Sequence, residues 1–336
     1  MKLAIFDPFN HSPGLSILFP ESHYFVYEPD SYIHFKATRH MNNTEFNKVY
    51  GFYYKSDWPS INSIKYDTLF IVLPLLDCQP LNVWHSKPDA IKIWILIAEM
   101  LKNNNFKKVC LFDTYDYDYD PSIIFPETHI DYFFKRNMNK NKVYASNVIP
   151  FPFIIFTVPC PLFMCLTYNR DIYNNTRKNA IFWAGGIYKH EATHTIHNIT
   201  YNIIRDRESI YKQLYPQLNV ISNLSHGSFL MEISNSKYAL DLEGVGDPNA
   251  RTFEILIAGS LRLHNNTEVI WPFEDKFSKV TEFRCLDDFN NNLNLLNSDP
   301  RVYDEALNNQ NNIFKMYFNK EWLSSYIIKC GHLELI

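Results

Sequence analysis

Arg251 and Glu254 stand three residues apart, just beyond Gly244, Gly246 and an Asp247-Pro248 pair, in the stretch "KYALDLEGVGDPNARTFEILIAGSLRL" (237–263). Asp-Pro is a helix start: the Asp side chain caps free backbone N–H groups, and Pro fits the first helical position. Gly259 falls where such a helix would stop. The pattern predicts a strand over 237–242, a helix over 248–258 and a strand over 260–263. A helix that begins just past a strand's carboxyl end points its free N–H groups and its positive dipole end at the crevice where open α/β sheets hold ligands. Arg251 in the first turn can grip a diphosphate with two parallel hydrogen bonds. Glu254 lies on the same face one turn deeper, where a carboxylate can accept both hydroxyls of a ribose. Gly244 and Gly246 let the backbone turn sharply and approach a ligand, in a chain that has only nine glycines in 336 residues. Together these residues suit a nucleoside diphosphate. The plain alternative is an exposed Arg–Glu pair and two turn glycines.

Other residues could take part. "NAIFWAGG" (179–186) is a strand ending in Gly185 and Gly186, followed by Lys189 and His190. Either cation could neutralise a departing diphosphate or simply lie at the surface. Arg205 and Arg207, in a stretch expected to be helical, are expected to be solvated or paired. Lys135 and Arg136 follow an aromatic cluster and read as a phosphate contact or a helix end. "DTYDYDYDPS" (113–122) alternates Asp116, Asp118 and Asp120 with tyrosines, just after a strand over 107–113. An Asp there could act as a general base, or the run could be an acidic loop.

These groups need elements to hold them. Strands are expected at 2–7, 68–76 and 107–113, with a helix over 89–104. Helical material is expected around 191–215, and strands at 218–222 and in "EVIWP" (268–272). A polar helical stretch from about 286 to 318 and the segment "NKEWLSSYIIKC" follow. Continuous apolar strands alternating with helices specify parallel α/β layering. The expectation is two Rossmann-like domains facing a central cleft. Residues 1–165 form the acceptor side and 166–312 the nucleotide-binding side, with 313–336 a helical segment returning toward the first domain.

The composition is globular, at 46% hydrophobic and 20% charged, and the net charge of −4 offers no basic field for nucleic acid. Six scattered cysteines without C-x-x-C spacing read as reduced thiols rather than a disulfide framework or a metal site. "VIPFPFIIFTVPCPLFMCLTY" (148–168) is long enough to span a bilayer, but Pro150, Pro152, Pro159 and Pro161 would interrupt a helix there, so an extended linker is expected. The start of the sequence reads as no signal peptide, and a cytoplasmic location is expected.

The stretch from 179 to 263, and its Arg-x-x-Glu-(x)₄-Gly pattern above all, resembles the donor-binding half of GT-B glycosyltransferases, exostosin-like members included, several of them encoded by large DNA viruses. For a viral protein, the location would be host cytoplasm. The resemblance implies transfer of a sugar from a UDP- or GDP-linked donor to a glycan, glycoprotein or other hydroxyl acceptor, without a metal or other cofactor. Donor contacts fall on Gly185, Gly186, Lys189, Gly244, Gly246, Asn249, Ala250, Arg251, Thr252 and Glu254. Catalytic candidates on the acceptor side are Asp116, Asp118 and His11. Two alternatives stand beside it. One is a metal-dependent GT-A enzyme, whose Asp-x-Asp element the Asp116, Asp118 and Asp120 run resembles. The other is a non-catalytic, glycan-binding relative of the GT-B enzymes.

Overall fold

Strands covered on both faces read as unbroken apolar runs, and such runs build a parallel sheet in each half of this chain. A computed structural model of the protein describes residues 2–7, 14–25, 52–53, 65–73, 97, 99, 101–102, 106–113, 119–123, 130–151, 177–187, 189–196, 199–243, 250–265, 268–272, 277–317 and 319–333. The chain forms two compact units. The first comprises residues 1–158, 195–199 and 319–336; the second comprises 159–194 and 200–318.

In the first unit the described elements are β1 (Leu3–Phe6), α1 (Gly14–Leu18), β2 (His23–Phe25), β3 (Phe52–Tyr53), β4 (Thr68–Leu73), β5 (Lys108–Asp113), β6 (Tyr132–Lys135) and β7 (Val148–Pro150). The strands make one sheet in the order β3-β2-β1-β4-β5-β6-β7, with parallel pairing throughout. The order reverses between β1 and β4, as in a Rossmann-like fold. Leu3, Ile5, Phe70, Val72, Phe112 and Phe134 share one buried face, joined by Leu323, Ile327 and Leu333 from the chain's return segment. Phe112 stacks on Phe134 with ring centroids 4.6 Å apart.

The second unit contains β8 (Lys178–Trp183), most of β9 (Lys189–Ile196) and of β10 (Ile199–Asp206), α2 (Arg207–Leu214), β11 (Leu218–Val220), α3 (His226–Ser234), β12 (Ser236–Asp241), α4 (Ala250–Ala258), β13 (Leu261–His264), α5 (Leu286–Ser298) and α6 (Pro300–Tyr317). A last helix, α7 (Lys320–Cys330), belongs to the first unit. The order β11-β8-β12-β13 is again parallel and doubly wound, with the reversal between β8 and β12. Ile181, Trp183, Tyr238, Leu240, Leu261 and Leu263 pack one face of the sheet against Tyr211, Phe289 and Leu296.

Four local expectations need correction. Residues 189–206 form a β-hairpin, not helix, because "HTIHNITYNII" is dense in β-branched and aromatic residues that favour a pleated surface; helix begins only at Arg207. Lys135 closes a strand rather than a helix. Residues 268–272 form turns and a single bridge position, not a strand. The polar stretch after 286 is two helices, broken at Asp299-Pro300, where Pro cannot extend the preceding turn. Among the described residues no helix is long and apolar enough to cross a membrane, and residues 152–176, which hold most of the proline-rich run, lie outside them. So does most of the expected helix at 89–104.

Tyr24 carries a pH dependence. Its hydroxyl donates to Asp7 Oδ2 at 2.5 Å inside the core. Burial first, and the Asp7 charge second, raise its pKa well above the ordinary 10.0. A raised folded-state value means the folded chain holds the phenol proton more tightly than the unfolded chain. The resulting stability is complete below pH 10.0 and drains away as pH climbs through the folded value. Urea midpoints should therefore fall as pH rises above this point, and fall less steeply in Tyr24→Phe. Identical pH slopes in the two proteins would remove Tyr24 from the account.

Candidate functional site

The helix named in the opening motif is fixed at both ends. Near its start, Thr252 is fully buried and its hydroxyl donates to Asp241 Oδ2 at 2.7 Å. The same oxygen accepts from Arg262 Nε at 2.6 Å, so the last residue of β12, an inner residue of β13 and the first turn of α4 meet at one carboxylate. Asp241 Oδ1 is buried with no hydrogen-bond donor beside it among the described residues. Arg262 is itself covered by the rings of Trp271 and Phe277, 5.4 and 5.2 Å from its guanidinium carbon. At the other end, Gly259 takes φ 80°, a left-handed backbone suited to glycine, and its N–H bonds to Ile255 O at 2.9 Å. The Arg177 guanidinium donates to the Gly259 and Ala258 carbonyls. A cation there meets the negative end of the helix dipole. Burial lowers the Arg177 pKa from its ordinary value.

Anchored this way, α4 buries Thr252, Phe253, Ile255, Leu256, Ile257 and Ala258, while Arg251 and Glu254 remain half-exposed. They are the two residues that the spacing selects. Arg251 reaches over the carboxyl end of β8, its guanidinium carbon 4.8 Å from the Trp183 ring centroid and 5.1 Å from that of Phe229 on α3. A Cβ built on Gly185 would lie 2.8 Å from Arg251 Nη1 and 3.0 Å from Nη2. Gly185 is thus the residue type that admits this guanidinium so close to the backbone. Trp183 closes β8 with its ring buried, and its Nε1 has no hydrogen-bond acceptor among the described residues. All of this lies where the strand order reverses between β8 and β12, the usual ligand crevice of an open α/β sheet.

A second arginine borders the same place. Arg207, first residue of α2, donates through Nη1 to Gly186 O at 3.2 Å, through Nη2 to Leu242 O at 3.1 Å and through Nε to Glu243 O at 3.1 Å. Its guanidinium carbon is 5.7 Å from the Trp183 ring centroid. Glu243 N in turn donates to Asn265 Oδ1 at 2.6 Å, tying in the segment after β13.

Of the residues expected in the site, the fold brings Gly185, Gly186 and Arg251 together and places Glu254, partly buried, one turn along the same helix. Ala250 opens α4. Thr252 faces inward, so its role is to seat the helix. Lys189 lies in strand β9, not in a loop, exposed and 2.6 Å from Glu191 Oε1, a bond that raises its pKa. Gly244, Gly246, Asn249, Asp116, Asp118 and His11 fall outside the described residues. Asp120 accepts the backbone N–H of Ser122 at 2.9 Å on one oxygen and that of Ala145 at 2.8 Å on the other. Asp120 therefore caps a turn and pins a neighbouring loop. Among the described residues no cluster of His, Cys, Asp and Glu could hold a metal ion. Lys135 is buried 3.1 Å from Asp113 Oδ2, and its ammonium stands 4.6 Å from the Tyr119 ring centroid. Trp183, Phe229, Arg207, Arg177 and Asn265 were not expected. The sequence marks them only as an aromatic at a strand end, one before an arginine-bearing helix, and polar residues beside element ends.

No protein-family model matches the sequence, and no curated protein matches it. Several solved structures are similar in shape. T4 phage BGT in complex with its UDP-glucose substrate is 12% identical, with 100% of each chain covered and a TM-score of 0.49. The DNA modifying enzyme β-glucosyltransferase is 15% identical over 99% of this chain and 100% of that chain, with a TM-score of 0.46. UDP-GlcNAc 2-epimerase from Neisseria meningitidis, bound to UDP-GlcNAc, is 10% identical over 99% of this chain and 100% of that chain, with a TM-score of 0.45. Similarity of this degree transfers neither substrate nor mechanism.

Replacing Thr252 tests the seating of α4. Thr252→Val keeps the shape but strips Asp241 of a donor, and should cost about 1–3 kcal/mol in urea unfolding. Thr252→Ser, which keeps the hydroxyl, should cost less than Val. A valine variant as stable as wild type would show that the hydroxyl does not matter.

Proposed function

We propose that the protein is a GT-B glycosyltransferase whose second unit binds a nucleoside diphosphate sugar. One observation carries the reading. Arg251 and Glu254 are the partly buried polar side chains of α4, and the Arg251 guanidinium lies against Gly185 and Trp183 at the reversal point of the sheet. A cation in the first turn of a helix sits at the unfavourable end of the dipole, a cost of about 0.3–1 kcal/mol that a bound anion reverses. The diphosphate is assigned to Arg251 and the backbone N–H groups at the start of α4, and the ribose diol to Glu254. The sugar lies beyond the diphosphate.

In this scheme an acceptor hydroxyl, from a glycan or glycoprotein, attacks the anomeric carbon. A new glycosidic C–O bond forms, the bond from that carbon to the diphosphate oxygen breaks, and the hydroxyl proton leaves to a base. Negative charge gathers on the departing diphosphate, where a positioned guanidinium and helix dipole stabilise it most. That assignment gives the charge to side chains and backbone and routes no step through a metal. The exostosin-like subgroup is supported by the Arg-x-x-Glu-(x)₄-Gly pattern alone.

Titration calorimetry with UDP and GDP tests the assignment, with UDP-glucose and UDP-GlcNAc, held by two of the similar structures, as first sugar nucleotides. Arg251→Ala and Glu254→Ala should each weaken the preferred nucleotide at least tenfold, about 1.4 kcal/mol, with circular dichroism unchanged. Gly185→Ala, which pushes the Arg251 guanidinium aside, should do the same to a smaller degree. Affinities equal to wild type in both alanine variants at 251 and 254 would refute the site.

A further inference from the structure

We propose that Arg207 is the positioning residue of this nucleotide site, a clamp that sets the spacing between the loop after β8 and the loop after β12. The inference rests on the nucleotide reading above and adds a residue that the motif does not contain. Arg207 stands at the amino end of α2, whose cap is already supplied by Asp206 accepting from Ser209 N at 2.9 Å and Ser209 Oγ at 2.8 Å. A cation at that end opposes the helix dipole, so its placement answers to something other than helix stability. Its partners show what that is. Three of its hydrogen bonds go to Gly186 O on one loop and to Leu242 O and Glu243 O on the other, at 3.1–3.2 Å.

Those carbonyls leave two different strands of the sheet, and the flat fork of a guanidinium can meet all three at once. A lysine ammonium on a flexible stem offers one compact charge and cannot span them with the same geometry. The consequence reaches the ligand groups directly. Gly186 follows Gly185, against which Arg251 rests. Leu242 and Glu243 lead into residues 244–249 and α4. Trp183 lies near both guanidinium groups, 4.8 Å from that of Arg251 and 5.7 Å from that of Arg207. With Glu243 N held by Asn265 at 2.6 Å, the tie runs from the end of β8 through β12 to β13. Arg207 thus acts on the diphosphate through the loops it holds.

The full chain is compared as wild type, Arg207→Ala and Arg207→Lys, by hydrogen exchange and by calorimetry with UDP and GDP. The lysine variant keeps the aliphatic stem and guards against loss of folding. Backbone amides of 184–187 and 242–243 should exchange faster in both variants, and nucleotide affinity should fall at least tenfold in both. Millimolar guanidinium should restore binding to Arg207→Ala while leaving Arg251→Ala weak, a rescue that a general packing role would not produce. Unchanged exchange in both loops overturns the clamp whether or not nucleotide binds, and so does a lysine variant that binds as wild type. Faster exchange in the variants of a wild type that binds no nucleotide supports the clamp and sinks the nucleotide assignment alone.

Discussion

A carboxylate with no access to solvent holds the second unit's geometry. Asp241, at the end of β12, takes a hydroxyl from α4 and a guanidinium from β13 on a single oxygen. Removing a charged pair from water is costly, and such pairs contribute little net stability unless hydrogen bonds complete them. Their value lies in direction: one arrangement satisfies the group and neighbouring ones do not. Here the arrangement fixes the height of α4 relative to the sheet, hence the height of Arg251, which follows Ala250 and precedes Thr252 in the chain. Arg177 fixes the far end of the same helix through the Gly259 and Ala258 carbonyls. A helix held at both ends presents its open residues with little freedom to adjust.

Much of this was legible in the chain itself. Continuous apolar runs gave the strands at 68–73 and 108–113, and Gly259 marked the end of α4, because both signals are local. The exposure of Arg251 and Glu254 follows from three-residue spacing on a helix otherwise apolar. What escaped is what depends on distant partners. Arg177 finds its carbonyl 82 residues away and Arg207 reaches 21 residues back and 36 forward. Nothing in the neighbourhood of either arginine announces those contacts. Helix was expected around 191–215, but the β-branched run inside the first part of that stretch decides the backbone as strand, and helix begins only at Arg207. Thr252 was legible as part of the motif but not as an inward-facing residue, since helical phase next to an arginine does not reveal a buried carboxylate beneath.

Two arginines at the amino ends of two helices, both near one indole, give the crest of β8 a concentration of positive charge in a chain of net charge −4. The aromatic rings beside the guanidinium groups restrict their motion and add an attraction of their own, about 0.5–2 kcal/mol depending on exposure. Arg rather than Lys at both positions is consistent with planar recognition on one side and planar clamping on the other.

The return of α7 to the first unit has a consequence for how the chain is made. Leu323 and Ile327 complete a hydrophobic cluster whose other members begin at Leu3, so that cluster lacks a layer until residues 159–318 have emerged from the ribosome. At about 5–20 residues per second, that interval is roughly 8–30 s. Throughout it, the apolar faces of β1, β4 and β5 wait for their cover while the second unit can already fold. The cluster is thus completed only by a helix made after the second unit.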